Sequence, residues 1–365
     1  MSLSSVPRYV RQMNRTLLAT TLGLVSLVAA TGAIAAPAAA TPAARTPSWE
    51  LRPTGTTSHF RGLAPVSAKV AWVSGYAGLV LRTVDGGRSW IDASPANAAT
   101  LQFRDISASD ADHAVAMSAG SGTDSRLYAT ADGGRTWKLA YQNTDPAAFF
   151  DCMSFSDSRH GLVVSDPVDG RFRILATRDG GRSWTVRPDQ AMPPALPGEA
   201  GFAAGGECLT TAGSQAWFGT GGGSTARIFH SRDRGLTWDV TDSSLATSPS
   251  GGVFALDFGR GGRGIAVGGD FSAPAAADKV SAVKAPHRPW TPARTEPSGY
   301  RSGVTFVPRT AATAIAVGLT GSDLTLDGGR NWRTFDTGQF DTVACTPDAS
   351  CWASGDLGRV ARLVR

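Results

Sequence analysis

Five pairs of neighbouring residues combine an aromatic ring with a charge, and each pair opens a stretch rich in apolar residues. The pairs are Phe60-Arg61, Phe103-Arg104, Phe150-Asp151, Tyr300-Arg301 and Phe340-Asp341. An arginine guanidinium forms paired hydrogen bonds with a carboxylate. If the five charges lie at one level of the fold, they predict a site for a polar or acidic peptide. The alternative is that they pair with one another and only hydrate a channel.

Carboxylates raise a second possibility, glycoside hydrolysis, which needs two carboxyl groups facing each other. The candidates are Asp105, Asp151, Glu207 and Asp341. Spacing along the chain does not show which of them face each other, so no catalytic residue is assigned. We therefore expect a binding module rather than an enzyme and keep a carbohydrate-active enzyme as the alternative.

The histidines and glycines do not form cofactor motifs. The five histidines show neither a His-x-His nor a His-Glu-x-x-His pattern, and His113 and His160 are 47 residues apart, as equivalent positions of a repeat would be. The segment Gly221-Gly222-Gly223 lacks the Lys-Ser/Thr of a phosphate loop, and no dinucleotide fingerprint is present. The sequence predicts no metal and no cofactor.

The N-terminus has the pattern of a secretory signal peptide. Arg8, Arg11 and Arg15 precede an apolar run at 17–30 and small residues suited to cleavage. We predict a signal at residues 1–35, an Ala/Pro/Thr-rich linker at 36–47, and a secreted or cell-surface protein. A retained membrane anchor is the alternative. Removing the signal lowers the net charge from +5 to about +2, which gives no support for a nucleic-acid partner.

One motif recurs along the chain, and we call it the Asp turn. Its first copy reads Thr83-Val-Asp85-Gly-Gly-Arg-Ser-Trp90, and the starts of the five copies are separated by 47, 47, 54 and 94 residues. The last gap equals two periods, so we expect a decayed copy near Asp278. A carboxylate can accept turn amides, and glycines permit positive φ. We therefore expect these carboxylates to be structural. They are Asp85, Asp132, Asp179, Asp233 and Asp327.

A second pattern counts the repeats independently. Short apolar runs such as Ala71-Trp72-Val73-Ser74-Gly75 occur seven times and read as strands covered on both faces. Four strands per repeat, seven repeats and tight turns predict an all-β, seven-bladed propeller of four-stranded antiparallel blades over residues 48–365. The last repeat lacks its outer strand. The segment 48–53 resembles the outer strand at 183–188, so the N-terminal strand should complete the last blade.

These motifs resemble those of a known family. The Thr-x-Asp-Gly-Gly-x-x-Trp turns and the strand opening Phe103-Arg104-Asp105 resemble the photosystem II stability/assembly factor family of seven-bladed propellers. They are also similar to the wider BNR/Asp-box group of sialidases and xyloglucan-hydrolysing propellers. The resemblance implies the propeller fold and suggests assembly of another protein. It implies little about chemistry, because the repeated turn is structural.

Four cysteines suit an exported protein. Cys345 and Cys351 flank a turn, and we predict a disulfide between them. Cys152 and Cys208 lie near the start of neighbouring repeats, where a bridge and two free thiols both remain open. Together the features predict a monomeric exported propeller that binds a protein or peptide, with carbohydrate as the alternative ligand. A membrane contact is expected only if the signal is retained.

Overall fold

The computed structural model describes residues 46–364, which form seven four-stranded antiparallel sheets. Each sheet is called a blade, and its strands are called A to D from the channel outward. The prediction of a seven-bladed all-β propeller is confirmed. The predicted signal peptide at 1–35 and nearly all of the predicted linker at 36–47 lie outside the described residues. None of the helices within residues 46–364 is long and apolar enough to cross a lipid bilayer.

The strands follow one another along the chain, blade by blade. Blades 1 and 2 contain β2 (Phe60–Pro65), β3 (Ala71–Gly75), β4 (Val80–Thr83), β5 (Ile91–Asp92), β6 (Gln102–Ala108), β7 (Ala114–Ala119), β8 (Arg126–Thr130) and β9 (Lys138–Gln142). Blades 3 and 4 contain β10 (Phe150–Phe155), β11 (Gly161–Val168), β12 (Arg171–Thr177), β13 (Thr185–Val186), β14 (Leu209–Ala212), β15 (Gln215–Gly219), β16 (Arg227–Ser231) and β17 (Asp239–Asp242).

The remaining blades have the same order except at the closure. Blades 5 and 6 contain β18 (Gly251–Phe258), β19 (Gly264–Asp270), β20 (Ser281–Lys284), β21 (Trp290–Pro292), β22 (Gly303–Phe306), β23 (Ala314–Gly318), β24 (Gly321–Thr325) and β25 (Arg333–Asp336). Blade 7 contains β26 (Thr342–Cys345), β27 (Cys351–Ser354), β28 (Val360–Val364) and, as its outer strand, β1 (Ser48–Leu51). Two short 3-10 helices lie at Gly122–Asp124 and Arg260–Gly262.

The N-terminal strand closes the ring, as the sequence predicts. Strand β1 pairs antiparallel with β28, with Trp49 opposite Leu363. The Trp49 ring lies 5.4 Å from the Phe340 ring, and its Nε1 donates to Ser322 Oγ in blade 6 at 2.9 Å. The closure therefore protects the outer edge of blade 7 and also links it to blade 6.

The apolar core lies between blades. Each of seven clusters of buried residues joins two neighbouring blades, because a single twisted sheet cannot cover both of its own faces. The tryptophan that ends an Asp turn packs against the preceding blade. For example, Trp137 meets Trp72 edge-on at 6.3 Å and donates to the Ala93 carbonyl at 2.7 Å. The turns thus fix the spacing between blades.

Each of the five Asp turns is held by hydrogen bonds among its own residues. In the first, Asp85 Oδ1 accepts the N–H groups of Arg88 and Ser89 at 2.9 and 3.0 Å, and Oδ2 accepts the Ser89 hydroxyl. Thr83 Oγ1 donates to Asp85 and accepts the N–H of Gly87, whose φ is +80°. The decayed copy is displaced from the expected position near Asp278. The hairpin between β20 and β21 spans 285–289.

The antiparallel order gives the ring two distinct faces. The A–B and C–D turns lie on one face, called the lower face, and the B–C and D–A connections lie on the other, the upper face. Both disulfides are formed within the described residues. Cys345–Cys351 closes the A–B turn of blade 7, and Cys152–Cys208 joins strand A of blade 3 to the segment entering blade 4.

Candidate functional site

The upper mouth of the channel is built from one position in each strand A. In four blades a β-bulge leaves one residue unpaired there and re-aims its side chain; these residues are Arg61, Arg104, Asp151 and Phe254. The equivalent position, judged from the pairing with strand B, is held in the other three blades by Glu207, Ser302 and Asp341. We call these seven residues the mouth ring.

The positive side of the mouth ring consists of Arg61 and Arg104 in neighbouring blades. Both guanidinium carbons lie 5.9 Å from the centre of the Tyr76 ring. Both groups donate to the Ala203 carbonyl at 3.4 Å, which is long for a hydrogen bond. Both side chains are half-buried. Burial, together with repulsion from Arg61, lowers the pKa of Arg104. Two adjacent cations are therefore held close together by weak contacts.

Each arginine keeps some donor capacity. Arg104 donates from Nη2 to Gln102 Oε1 at 2.8 Å, and its guanidinium lies 5.9 Å from the Phe149 ring. The Nε of Arg61 is buried and has no hydrogen-bond partner among the described residues. A buried donor without a partner is costly, so the position of the Arg61 side chain is not stabilised at Nε.

The acidic side of the mouth ring is more deeply buried. Both carboxylate oxygens of Asp151 are buried and lack a hydrogen-bond partner within the described chain. Burial, and next the charge of Asp166, raise the pKa of Asp151 well above its ordinary value. Burial also raises the pKa of Asp166 to about 6. Asp341 is different, because its Oδ2 lies 2.8 Å from Nε2 of His59. Asp151 and Asp341 are thus not freely available as a matched pair.

Arg301 does not line the channel mouth. Its pairing position matches that of Phe60 rather than Arg61, because Gly303 occupies the place of Gly62. The Arg301 side chain is fully buried and donates from Nε to Asp323 Oδ2 at 2.7 Å within blade 6. The prediction that Arg301 frames the mouth is corrected for this reason. Ser302 takes the position in the mouth ring.

A segment of the chain itself crosses the mouth, and we call residues 199–208 the plug segment. At its start the buried Glu199 pairs with Arg227 of blade 4, whose Nε donates to Oε1 at 2.8 Å. The N–H of Gly201 then donates to Asp166 of blade 3 at 2.8 Å. At its end Cys208 is bridged to blade 3.

Between these anchors the plug segment reaches the other side of the ring. The Phe202 ring stacks on the Phe254 ring of blade 5 at 4.1 Å. The carbonyls of Ala203 and Ala204 accept from Arg61 in blade 1 at 3.4 Å. A Cβ on Gly205 would stand 2.5 Å from the Asp341 carbonyl oxygen of blade 7, so only glycine fits there. The plug segment therefore covers the channel and occupies the arginine pair with backbone carbonyls.

Of the carboxylates of the alternative hydrolase hypothesis, Glu207 belongs to the plug segment and Asp105 lies against it at Gly206. Glu207 crosses the channel to blade 7, where its Oε1 accepts the N–H of Val343 at 3.0 Å and the Thr342 hydroxyl. Burial raises the pKa of Glu207 well above its ordinary value, and the charge of Asp105 raises it further. Burial raises the pKa of Asp105 itself to about 8. These groups link blades to one another beneath the mouth.

The sequence reasoning missed the plug segment, Glu207 as a ring member, and Phe254. One feature of the sequence indicated the plug segment. The interval between the third and fourth Asp turns is 54 residues instead of 47, and the D–A connection at 187–208 holds the extra length. No cluster of three or more His, Cys, Asp or Glu side chains suited to a metal ion occurs in residues 46–364.

Comparison with known proteins identifies similar folds. No protein-family model matches the sequence, and no match was found among curated proteins. The structure described as "YCF48 bound to D1 peptide" has a TM-score of 0.61 and 15% identity, covering 87% of this chain and 97% of that one. The structure of YCF48 from Cyanidioschyzon merolae has a TM-score of 0.56 and 15% identity, covering 86% of this chain and 98% of that one.

Two further folds are similar. The GH74 xyloglucanase from Xanthomonas campestris has a TM-score of 0.60 and 16% identity, covering 86% of this chain and 53% of that one. The WD40 propeller domain of Doa1 has a TM-score of 0.57 and 10% identity, covering 87% and 97%. At these identities the likeness concerns the fold, and this chain shares the propeller architecture of proteins with different activities.

Proposed function

We propose that this protein is an exported peptide-binding propeller that recognises a carboxylate of its partner at the upper channel mouth. The arginine pair Arg61 and Arg104 carries the proposal. Two guanidinium groups from neighbouring blades lie against the same Tyr76 ring and hold the same carbonyl through bonds of 3.4 Å. A carboxylate would form shorter, charge-assisted bonds to both groups and would partly neutralise their mutual repulsion.

The aromatic neighbours suit a peptide rather than a free anion. Tyr76 and Phe149 flank the arginines and are half-buried, so each offers an apolar surface to the residue next to a bound carboxylate. A propeller of the same fold has been found with a peptide bound, the YCF48 structure with the D1 peptide. That likeness supports a protein or peptide partner in general. Export rests on the N-terminal pattern, and N-terminal sequencing of the protein from the culture medium tests it.

The hydrolase alternative receives less support. A GH74 xyloglucanase has a similar fold, and several carboxyl groups with raised pKa values lie in the channel. A saccharide would have to displace the plug segment, which contains Glu207, to reach Asp105. These carboxyl groups already accept the N–H groups of Met153 in blade 3 and Val343 in blade 7. We therefore assign them to the framework of the channel.

The test is a double substitution, Arg61→Ala with Arg104→Ala. Fluorescence anisotropy with a labelled oligoglutamate peptide is expected to show at least a tenfold loss of affinity, equal to about 1.4 kcal/mol. The matched control is Arg88→Ala with Arg135→Ala, which removes two exposed arginines from Asp turns on the lower face. Unchanged binding by the mouth variant, with a native circular dichroism spectrum and melting temperature, would reject the proposal.

A further inference from the structure

The A–B turns of the lower face fall into two chemical classes. In blades 2, 3 and 7 an aspartate accepts the N–H groups of its own turn. Asp110 and Asp157 each accept two of them at 2.7 to 2.8 Å, and Asp348 accepts that of Ser350 at 3.0 Å. The A–B turns of blades 1, 4, 5 and 6 carry no acid. Those of blades 5 and 6 keep the backbone bond that also closes the acid-bearing turns, from Gly259 N–H to the Arg263 carbonyl and from Val307 N–H to the Thr313 carbonyl.

In the A–B turns of blades 5 and 6, arginines stand where other blades have the aspartate. Arg260 and Arg263 lie in the turn of blade 5, and Arg309 lies in that of blade 6. All three are exposed, and none makes a side-chain hydrogen bond or ion pair with another residue of the 46–364 region. Within residues 46–364, the positive charge of this sector is therefore not neutralised by an ion pair.

The C–D turn of blade 5, which lies on the same lower face, also has no aspartate. The hairpin at 285–289 corresponds to its Asp turn, since Trp290 keeps the buried position of the turn tryptophan. Ala285 stands where the other turns have aspartate. The neighbouring Asp327 of blade 6 uses its oxygens on its own turn, accepting the N–H groups of Arg330 and Asn331. Blade 5 thus lacks an acid in both of its lower turns, at 259–263 and at 285–289.

The three arginines border one open cleft of about 700 Å³ between the two blades. Its other contributors include Gly261, Pro286 and Thr310, and no acidic side chain lines it. This volume lies within the range of small-ligand sites. We propose that this cleft, named the basic cleft, binds a phosphate-bearing anion. The planar fork of arginine matches phosphate oxygens, and several arginines around one cleft can hold one group from different sides.

The phosphate group could belong to a soluble ester or to a lipid headgroup. The chain enters the ring on this same face, because Ser48 pairs with Val364 at the lower end of blade 7. Anionic vesicles are therefore a relevant probe beside a soluble phosphate ester. The site is separate from the arginine pair at the upper mouth, and each can fail without the other.

The experiment compares two triple variants with equal loss of charge. One is Arg260→Ala, Arg263→Ala and Arg309→Ala; the control removes Arg88, Arg135 and Arg182, which are exposed in Asp turns of the same face. Probes are inositol hexakisphosphate by calorimetry and cosedimentation with phosphatidylcholine vesicles that contain phosphatidylglycerol. Citrate at equal ionic strength is the carboxylate comparison.

We expect the cleft variant to lose at least tenfold in affinity for whichever phosphate probe binds, while the control variant keeps the affinity of the original protein. Binding of hexakisphosphate alone identifies a soluble ester, and binding of vesicles alone identifies a lipid headgroup. Equal losses in both variants, equal affinity for citrate, or no binding of either phosphate probe would overturn the proposal. Melting temperatures verify that both variants are folded.

Discussion

The carboxylates of the lower turns and those of the upper mouth have opposite environments. At the lower face the Thr136 hydroxyl and N–H lower the pKa of Asp132 to about 2. In the channel, burial raises the pKa of Asp105 to about 8 although it accepts the N–H of Met153. The turn acids are stabilised as anions by donors within four residues. Asp105 and Glu207 accept donors from other blades, Asp151 has no such donor within the described chain, and burial favours the protonated form of all three.

The Asp turns are held by contacts between residues close in sequence, whereas the mouth depends on contacts between distant parts of the chain. An Asp turn brings its own donors, so it forms in any blade that keeps the motif and contributes the same geometry each time. The mouth is assembled only when the ring closes, because the plug segment meets blades 1, 3, 5 and 7 at once. We therefore expect the mouth to carry the specific chemistry of this protein and the turns to carry its framework.

The largest expected contrast comes from the two disulfides, one in each region. Cys152–Cys208 closes a loop with a sequence separation of 56 and anchors the plug segment, whereas Cys345–Cys351 closes a separation of 6 in a lower turn. Loop-closure entropy predicts a loss of about 4 kcal/mol for Cys152→Ala with Cys208→Ala, and about 2 kcal/mol for the other pair. Urea unfolding of both double variants measures the difference.

Limited proteolysis reports separately on how firmly the plug segment is held. Without the Cys152–Cys208 bridge, cleavage within the plug segment should become faster, while removal of Cys345–Cys351 should leave that cleavage rate unchanged. Equal unfolding free energies for the two variants, with no change in cleavage, would show that the plug segment is held by its other contacts alone.

The sequence could predict most of the fold because the repeats carry local signals. The Asp turns, the seven apolar runs and the likeness of 48–53 to 183–188 each depend on a few neighbouring residues. The mouth was predicted less well. Arg61, Arg104, Asp151 and Asp341 do lie in the mouth ring, but Arg301 was placed one residue out of register. The aromatic residue of blade 6 precedes Gly303 by three positions, whereas that of blade 1 precedes the equivalent Gly62 by two. The plug segment has no repeated counterpart, so only its extra length marked it.

Two aspartate-to-asparagine substitutions, one in each region, are expected to have effects on stability of intermediate magnitude. Asp233→Asn removes the charge that accepts the N–H groups of Leu236 and Thr237 and the Thr237 hydroxyl, at 2.6 to 3.0 Å. We expect a loss of about 1.5 kcal/mol in unfolding free energy. Asp151→Asn should leave stability unchanged or raise it, because neither carboxylate oxygen has a hydrogen-bond partner in the described chain. Denaturant titration that ranks Asp151→Asn as the more damaging change would contradict the comparison.

Per pH unit, the smallest expected effect is the change of unfolding free energy with pH, and its sign distinguishes the two regions. The pKa of Asp105 rises from an ordinary value of 3.8 to about 8 on folding, so its contribution to stability is full below pH 4 and is lost as the pH rises toward 8. Asp105→Asn should therefore flatten the fall of unfolding free energy across this window, by at most about 1.4 kcal/mol per pH unit.

The pKa of Asp132 falls to about 2, so Asp132→Asn should alter the pH dependence only below pH 4, where stability is lost on acidification. Urea unfolding at intervals from pH 2 to pH 9 measures both slopes. An Asp105→Asn variant with the slope of the unsubstituted protein between pH 4 and pH 8 would show that Asp105 does not carry the proton, and the titration would then have to be assigned to Asp166 or Glu207.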